Sequence, residues 1–313
     1  MLALVLRKLF RAALTVWLTV SFVFIVLRLS GDPAQIILPI NLVTPEVEAA
    51  LRHKWGLDQP LIVQYLDYVA NVFRGDFGFS FRDGRPAVSL VLASLPNTLA
   101  LMVVAVPLTI CTGIAIGVLA ALRRGRLTDR AIMLTAVTAF SVPNFFLGIL
   151  TIIVFAVSLH WLPTGGTGSI RHVVLPVLCL SAAWIGIFAR FTRGATIDVL
   201  GQPFVTGLRG RGIPQMAIIR AHILPNGMIP TLTVFGMYIG SLISGSIIVE
   251  SLFAWPGVGH LLVESVFSRD LAVVQAIILL ASLMMVTANL LVDLSYGWLD
   301  PRIRDLEIAS RVL

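Results

Sequence analysis

Residues Arg209 to Pro230 read "RGRGIPQMAIIRAHILPNGMIP". Three arginines, three glycines and three prolines stand here between two long apolar runs. A chain rich in Leu, Ile, Val and Ala has no packing reason to break in this way. What flanks the segment decides the fold class, and what it touches decides the function.

Of the 313 residues, 58% are hydrophobic and 12% are charged, with a mean hydropathy of +0.95. Soluble domains carry about a quarter charged residues, so the composition places the chain in a membrane. The formal net charge is +7. The positive residues fall in short clusters between apolar runs, without aromatic interleaving, so lipid topology explains them better than nucleic acid. The only lysines are Lys8 and Lys54, and neither stands in a G-x-x-x-x-G-K-[ST] context. Without that lysine there is no P-loop, and any ATP-driven work must draw on a partner. Cys111 and Cys179 lie in apolar runs and read as small buried hydrophobes. His53, His160, His172, His222 and His260 show no metal-ligand spacing. No nucleophile–base pattern stands out, so neither enzymatic activity nor a metal or cofactor site is expected.

A hydrocarbon core about 30 Å thick needs about 20 helical residues to cross it. Six segments qualify: Ala12–Leu29, Thr98–Leu122, Ala131–Leu159, Val173–Phe191, Met228–Val249 and Leu271–Leu291. The expected architecture is all-α and polytopic, with both termini on one side. Arginine and lysine choose that side, since 15 of the 23 positive residues fall at the two termini and in the loops after the second and fourth spans. The positive-inside rule then places both termini in the cytoplasm. The first span reads as an uncleaved anchor, because no A-x-A site follows at "RLSGDPAQ". Residues 30–96 form the largest hydrophilic region, with a helix expected from Thr44 (N-cap) and Pro45. This region reads as a small extracytoplasmic subdomain capping the bundle, or as a partner surface. The resulting division is 1–94 for the first span and that segment, 95–298 for a five-helix core with a cytoplasmic loop at 190–230, and 299–313 for a tail.

The span centres hold almost no ionisable residues. Glu250 and Asp293 sit at span ends and read as interfacial anchors, which argues against a proton- or sodium-driven carrier. No internal repeat pairs the two halves, which weighs against an inverted-repeat transporter. Gly113 and Gly117 form one G-x-x-x-G pair, and Gly236 and Gly240 another, followed by Ser241 and Gly245. Such faces let helix backbones approach closely. "SVPNFF" (Ser141 to Phe146) puts Pro143 and Asn144 in the middle of the third span, where a kink frees polar groups. Either a polar pathway or an interhelical hydrogen bond satisfies them.

Within the loop, Arg190–Leu200 extends the fourth span, Gly201 and Gln202 break it, and Pro203 opens a short helix. Phe204, Val205 and Leu208 make an apolar stripe, Arg209 and Arg211 follow, and Gly212 ends the turn. Gly207 and Gly210 each cost about 1 kcal/mol relative to alanine. A helix of about two turns is marginal alone. It fits either a groove in another protein or a flat position on lipid headgroups.

These residues resemble the "EAA" loop of membrane subunits of binding-protein-dependent ABC importers. Gly212 matches the loop glycine, and Leu224–Pro225 match its Leu-Pro. The E-A-A positions are held by Thr206, Gly207 and Leu208, and His222 fills the usual hydrophobic position. The departures suit the peptide and nickel permeases, whose loop is similar at Arg209, Arg211, Gly212, His222, Leu224 and Pro230, with Ile213 in the same coupling loop. "GLDQPLIVQY", "GDFGFSF", "LHWLPTGG", "ARFTRGATIDVL", "SGSIIVESLFAWPGVGHLL" and "DPRIR" extend the resemblance over nearly the whole chain.

The resemblance implies a type I importer permease of six transmembrane helices in the bacterial inner membrane. It implies a second homologous permease, two ATPase subunits and an extracytoplasmic binding protein as partners. The opening stretch would be the coupling helix docking in a cleft of the ATPase, with Phe204 and Leu208 in the cleft and Arg209 and Arg211 near acidic groups or phosphates. The outer loops, including Ser30–Pro96 and Phe253–Gly259, would face the binding protein. Di- and oligopeptides are the implied cargo, with nickel, glutathione or another small solute as alternatives.

Overall fold

The structure, a computed structural model, describes residues 2–29, 53 and 58–299. The helix expected from Thr44 and the tail beyond Leu299 lie outside the described residues. The described residues form helices α1 (Leu2–Leu29), α2 (Leu61–Arg74), α3 (Ala87–Leu122), α4 (Leu127–Ser141) and α5 (Asn144–Thr151, continued by π-helix Ile152–Ser158). They go on with α6 (Ile170–Leu200), α7 (Pro203–Gly210), α8 (Gln215–Ile218), a π-helix (Ile219–Ile223), α9 (Leu224–Leu252), α10 (Val258–Phe267) and α11 (Leu271–Leu299). No strand occurs among the described residues. A single β-bridge joins Phe79 and Pro86.

Four stretches are long and apolar enough to cross a membrane unbroken: Lys8–Val26, Ala87–Leu122, Ile170–Leu200 and Leu271–Leu290. Two more spans are bent pairs, which brings the total to six when each pair counts once. Helix is forced on such segments because hydrocarbon offers no partner for backbone N–H and C=O. Hydroxyls in α1 follow the same rule: Thr15 donates to the Arg11 carbonyl and Thr19 to the Thr15 carbonyl, each at 2.9 Å.

The expected third span, Ala131–Leu159, is not one helix. Leu127–Ser141 and Asn144–Ser158 meet at 104°. Proline clashes with a preceding helical residue, so Val142 is pushed to extended backbone (φ −85°, ψ 124°) and the helix stops rather than kinks. The fifth span also differs. Its helix starts at Leu224 rather than near Met228, so Pro225 and Pro230 lie within a helix and not in a loop. Pro225 offers no N–H to the carbonyl of Ala221, and the wider π-turn at Ile219–Ile223 falls just where that bond is lost. Val234–Leu242 and Ser244–Leu252 are inclined at 46°, at a point flanked by Gly240, Ser241, Ser244 and Gly245. The second span begins at Ala87, well before Thr98.

The chain forms two compact units, Met1–Pro96 with His260–Val286, and Asn97–Gly259 with Thr287–Leu313. In the first unit, the 76–86 loop is tied to the start of α11. Ser80 donates to the Asp270 carboxylate, and Gln275 donates to the Phe77 carbonyl at 2.9 Å. In the second unit, α6 is central. Its membrane-length window is 56% buried, against 22% for that of α3. A Cβ on Gly113 would meet Phe188 Cβ at 2.5 Å, and one on Gly117 would meet the Ala189 carbonyl at 2.6 Å, so this pair seats α3 against α6. Gly186 does the same for α4, where a Cβ would meet the Ala136 carbonyl at 2.6 Å.

Candidate functional site

The loop from Gly201 to Leu224 builds a short helix and stops it firmly. Pro203 takes the first helical position of α7, where its missing N–H has no partner to lose. At the other end, Gly212 N–H donates to the Arg209 carbonyl (3.0 Å) and Ile213 N–H to the Leu208 carbonyl (3.3 Å). With Gly212 at φ +73°, this is a Schellman stop, whose expected apolar contact pairs Leu208 with Ile213. Both side chains pack against one cluster.

That cluster anchors α7 to its own chain. Val205 is fully buried with Ile218, Ile219 and Ile223, and Val118, Leu122, Val199 and Leu200 close around them. Leu208, assigned by the resemblance to an ATPase cleft, is half-buried here against its own chain. Phe204 is exposed, with its ring 6.4 Å from that of His222. Thr206, Gly207, Arg209 and Arg211 are exposed as well. A Cβ at Gly207 or Gly210 would meet nothing within 4 Å, so nothing in the chain itself requires glycine there. Ile213 and Leu224 are half-buried at the cluster, and Pro225 is exposed. Pro230 lies in α9.

A partly buried ion pair lies at the near end of α4. Asp129 is 3% exposed and accepts from Arg193 Nε (2.6 Å) and Nη2 (2.8 Å), and also from Gly125 N–H (2.9 Å). This fork ties the loop after α3 to the α6 extension that leads into α7. No periodicity in the sequence signals it.

A second anchor lies at the far end of α9. Glu250, read from sequence as an interfacial anchor, is fully buried, and its Oε2 accepts from Gly259 N–H at 2.7 Å. The chain doubles back here through Ala254 at φ +46°. Asn97 and Thr98 of α3 clamp the turn. Trp255 Nε1 donates to the Asn97 carbonyl (2.9 Å), Asn97 Nδ2 donates to the Pro256 carbonyl (2.8 Å), and Val258 N–H donates to Thr98 Oγ1 (2.8 Å). A methyl group on Gly257 would press into the Glu250 carboxylate and the Thr98 hydroxyl. Gly257→Ala is therefore expected to cost about 1–3 kcal/mol through overpacking. Gly194→Ala, in open space on α6, is expected to be neutral or stabilising by up to about 1 kcal/mol. Thermal unfolding of both variants in detergent checks the contrast, and equal midpoints would remove the turn from this account.

Within the spans, Pro143 ends the first arm of the bent pair. The Asn144 carbonyl receives a hydrogen bond from Cys179 Sγ at 3.0 Å, an interhelical partner of the kind the sequence left open. Of the small residues in α9, Gly236 is buried and Gly240 half-buried. Ser241 donates to the Tyr238 carbonyl, and Gly245 faces Leu180. Sequence reading missed Tyr238. It is fully buried against Trp184 and Phe188 and shares a 2.9 Å hydrogen bond with Thr109.

A six-span helical protein with a short exposed helix set in one loop has the form of a transporter's membrane subunit. The family described as binding-protein-dependent transport system inner membrane component matches residues 113–305, and its N-terminal counterpart matches residues 1–102. The glutathione transport system permease protein GsiC of Salmonella typhimurium (strain LT2) is 41% identical over 305 residues, covering 97% of this chain and 99% of the relative. GsiC of Escherichia coli (strain K12) is 40% identical over 309 residues, with the same coverage. An inward-facing structure of the MetNI methionine ABC transporter aligns with a TM-score of 0.54 at 17% identity, covering 67% of this chain and 96% of that one. This chain belongs to the family of inner-membrane permease components of binding-protein-dependent ABC importers.

Proposed function

We propose that the chain carries small peptides across the inner membrane as one half of a permease pair driven by two ATPase subunits. An extracytoplasmic binding protein delivers the cargo. Glutathione, a tripeptide, is the specific candidate, since the two relatives described above, each matching over 97% of this chain, are glutathione permeases. The positive-inside count keeps both termini and the 190–230 loop on the cytoplasmic side.

One observation carries the coupling role. Helix α7 is fixed to its own chain through Val205, yet it presents Phe204, Arg209, Arg211 and two sterically unobstructed glycines outward. Glycines that cost helix stability without an internal packing reason suit close approach by another protein. The permease core is then 95–298, with 1–94 as an N-terminal addition.

Reconstitution of the complete assembly in proteoliposomes tests the reading. ATP-dependent uptake of labelled glutathione or dipeptide supports it. Uptake that follows a proton or sodium gradient and ignores ATP overturns it. Nickel uptake without peptide uptake would keep the permease role and replace the cargo. Charge reversal at Arg209 and Arg211 is expected to lower recovery of the P-loop ATPases in a gentle detergent pull-down, with the second permease still recovered. Unchanged recovery would leave those arginines with topology alone.

A further inference from the structure

Helix α2 was not foreseen in the sequence, and its three faces are chemically distinct. At about 100° per residue, Ile62, Leu66, Val69 and Phe73 fall on one stripe. Ile62 is 65% exposed, Leu66 59% and Phe73 88%. A quarter turn to one side stand Tyr65 and Tyr68, both packed on α1. Tyr65 shares a 2.7 Å hydrogen bond with Ser21, its ring lies 5.3 Å from that of Phe24, and the Tyr68 ring lies 5.5 Å from it. Opposite the apolar stripe are Asp67, Asn71 and Arg74, all exposed.

Those contacts set the Tyr65–Tyr68 turn of α2 beside a membrane-spanning segment. Ser21 and Phe24 both lie inside the Lys8–Val26 span, five and two residues from its end. At 1.5 Å per residue these are about 7.5 and 3 Å along α1 from the end of its apolar stretch. Interfacial helices bury their apolar face by about 5–10 Å. A helix at that level beside α1 has one flank on α1, one side toward the hydrocarbon and the opposite side toward water. The three faces of α2 are set in that order. The same span exposes Trp17, Phe22 and Ile25.

We propose that α2 is an interfacial helix, lying in the bilayer leaflet at the Leu29 end of α1 with Ile62, Leu66 and Phe73 among the acyl chains. Gly75, at φ +75°, ends the helix and releases the chain into the 76–86 loop tied to α11 by Ser80 and Gln275. The lipid-held helix thereby sets the height of that loop above the bilayer. The surface exists whatever cargo the chain carries.

The test places nitroxide labels at Leu66→Cys, Phe73→Cys and, for the polar face, Asp67→Cys, in a background lacking Cys111 and Cys179. The complete transporter is embedded in nanodiscs of phosphatidylethanolamine and phosphatidylglycerol. Collision with oxygen is expected to exceed collision with a water-soluble nickel chelate several-fold at positions 66 and 73, and the order is expected to reverse at 67. Preference for the nickel chelate at 66 and 73 means a water-facing stripe and overturns the proposal. Low collision with both reagents means that a protein, the second permease or the binding protein, covers the stripe, and this also overturns it. Should the labels disturb folding, the unmodified chain is irradiated in bilayers whose acyl chains carry a diazirine. Adducts within Ile62–Phe73 support the proposal, and adducts on α1 with none on α2 overturn it.

Discussion

Gly212→Val is expected to abolish ATP-driven uptake while the chain still inserts and still co-purifies with the second permease. The cause is the backbone, since a Cβ at Gly212 would meet nothing within 4 Å. Its φ of +73° is left-handed, a region that costs an L-residue about 1–2 kcal/mol and a β-branched residue more. Valine can relieve that strain by giving up the two Schellman bonds, to the Arg209 and Leu208 carbonyls. Helix α7 has barely two turns and already carries two glycines, so it has little stability with which to resist. Alanine at 212 is expected to have an intermediate effect, and asparagine, which tolerates the left-handed region, to transport nearly normally. The order Asn above Ala above Val in reconstituted uptake is the check. Valine matching wild type would remove the helix stop from the transport cycle.

Much of this architecture was legible because hydrocarbon leaves the backbone few choices. Apolar runs near twenty residues had to be helices, and the basic clusters had to lie between them. Gly212 was legible for a related reason, as a glycine after a basic last turn is the usual site of a left-handed stop. Pro143 was read only as a kink, because a proline shows which hydrogen bond is lost and not where the chain goes next. The extended backbone of Val142 settles that and turns the chain through 104°. Phe204 and Val205 are neighbours on a two-turn helix, and apolarity alone does not say which of them faces inward. The surrounding isoleucines, Ile218, Ile219 and Ile223, select Val205. Glu250 looked like an anchor because it ends a span. The turn from Phe253 to Gly259 folds back over it, and that depends on contacts with Asn97 and Thr98 far away in sequence.

The Asp129–Arg193 pair is the other strong lever. Asp129→Ala would leave Arg193 Nε and Nη2 and the Gly125 N–H without their acceptor in a partly buried place. Hydrogen bonds to charged groups contribute about 1.5–3 kcal/mol each. The lower end is expected here, because the Arg193 side chain is 26% exposed and water recovers part of the loss. Even about 1.5 kcal/mol shifts an equilibrium roughly tenfold. The equilibrium at stake is the docking of the loop after α3 onto α6, the helix whose end leads directly into α7. In the proposed coupling role, a clamp there makes the α6 extension and the neighbouring loop move as one piece when α7 is pulled. Loss of the clamp should therefore lower the unfolding midpoint and lower uptake per ATP hydrolysed, with ATP hydrolysis itself retained. Arg193→Ala should do the same, and the double variant should be little worse than either single one, because partners in one contact are not additive. Exchanging the two residues should rescue poorly, since position 129 would then hold a donor facing the Gly125 N–H. Strictly additive single effects in a double-mutant cycle, or full rescue by the exchange, would show that the pair is only two surface charges and that α7 moves without it.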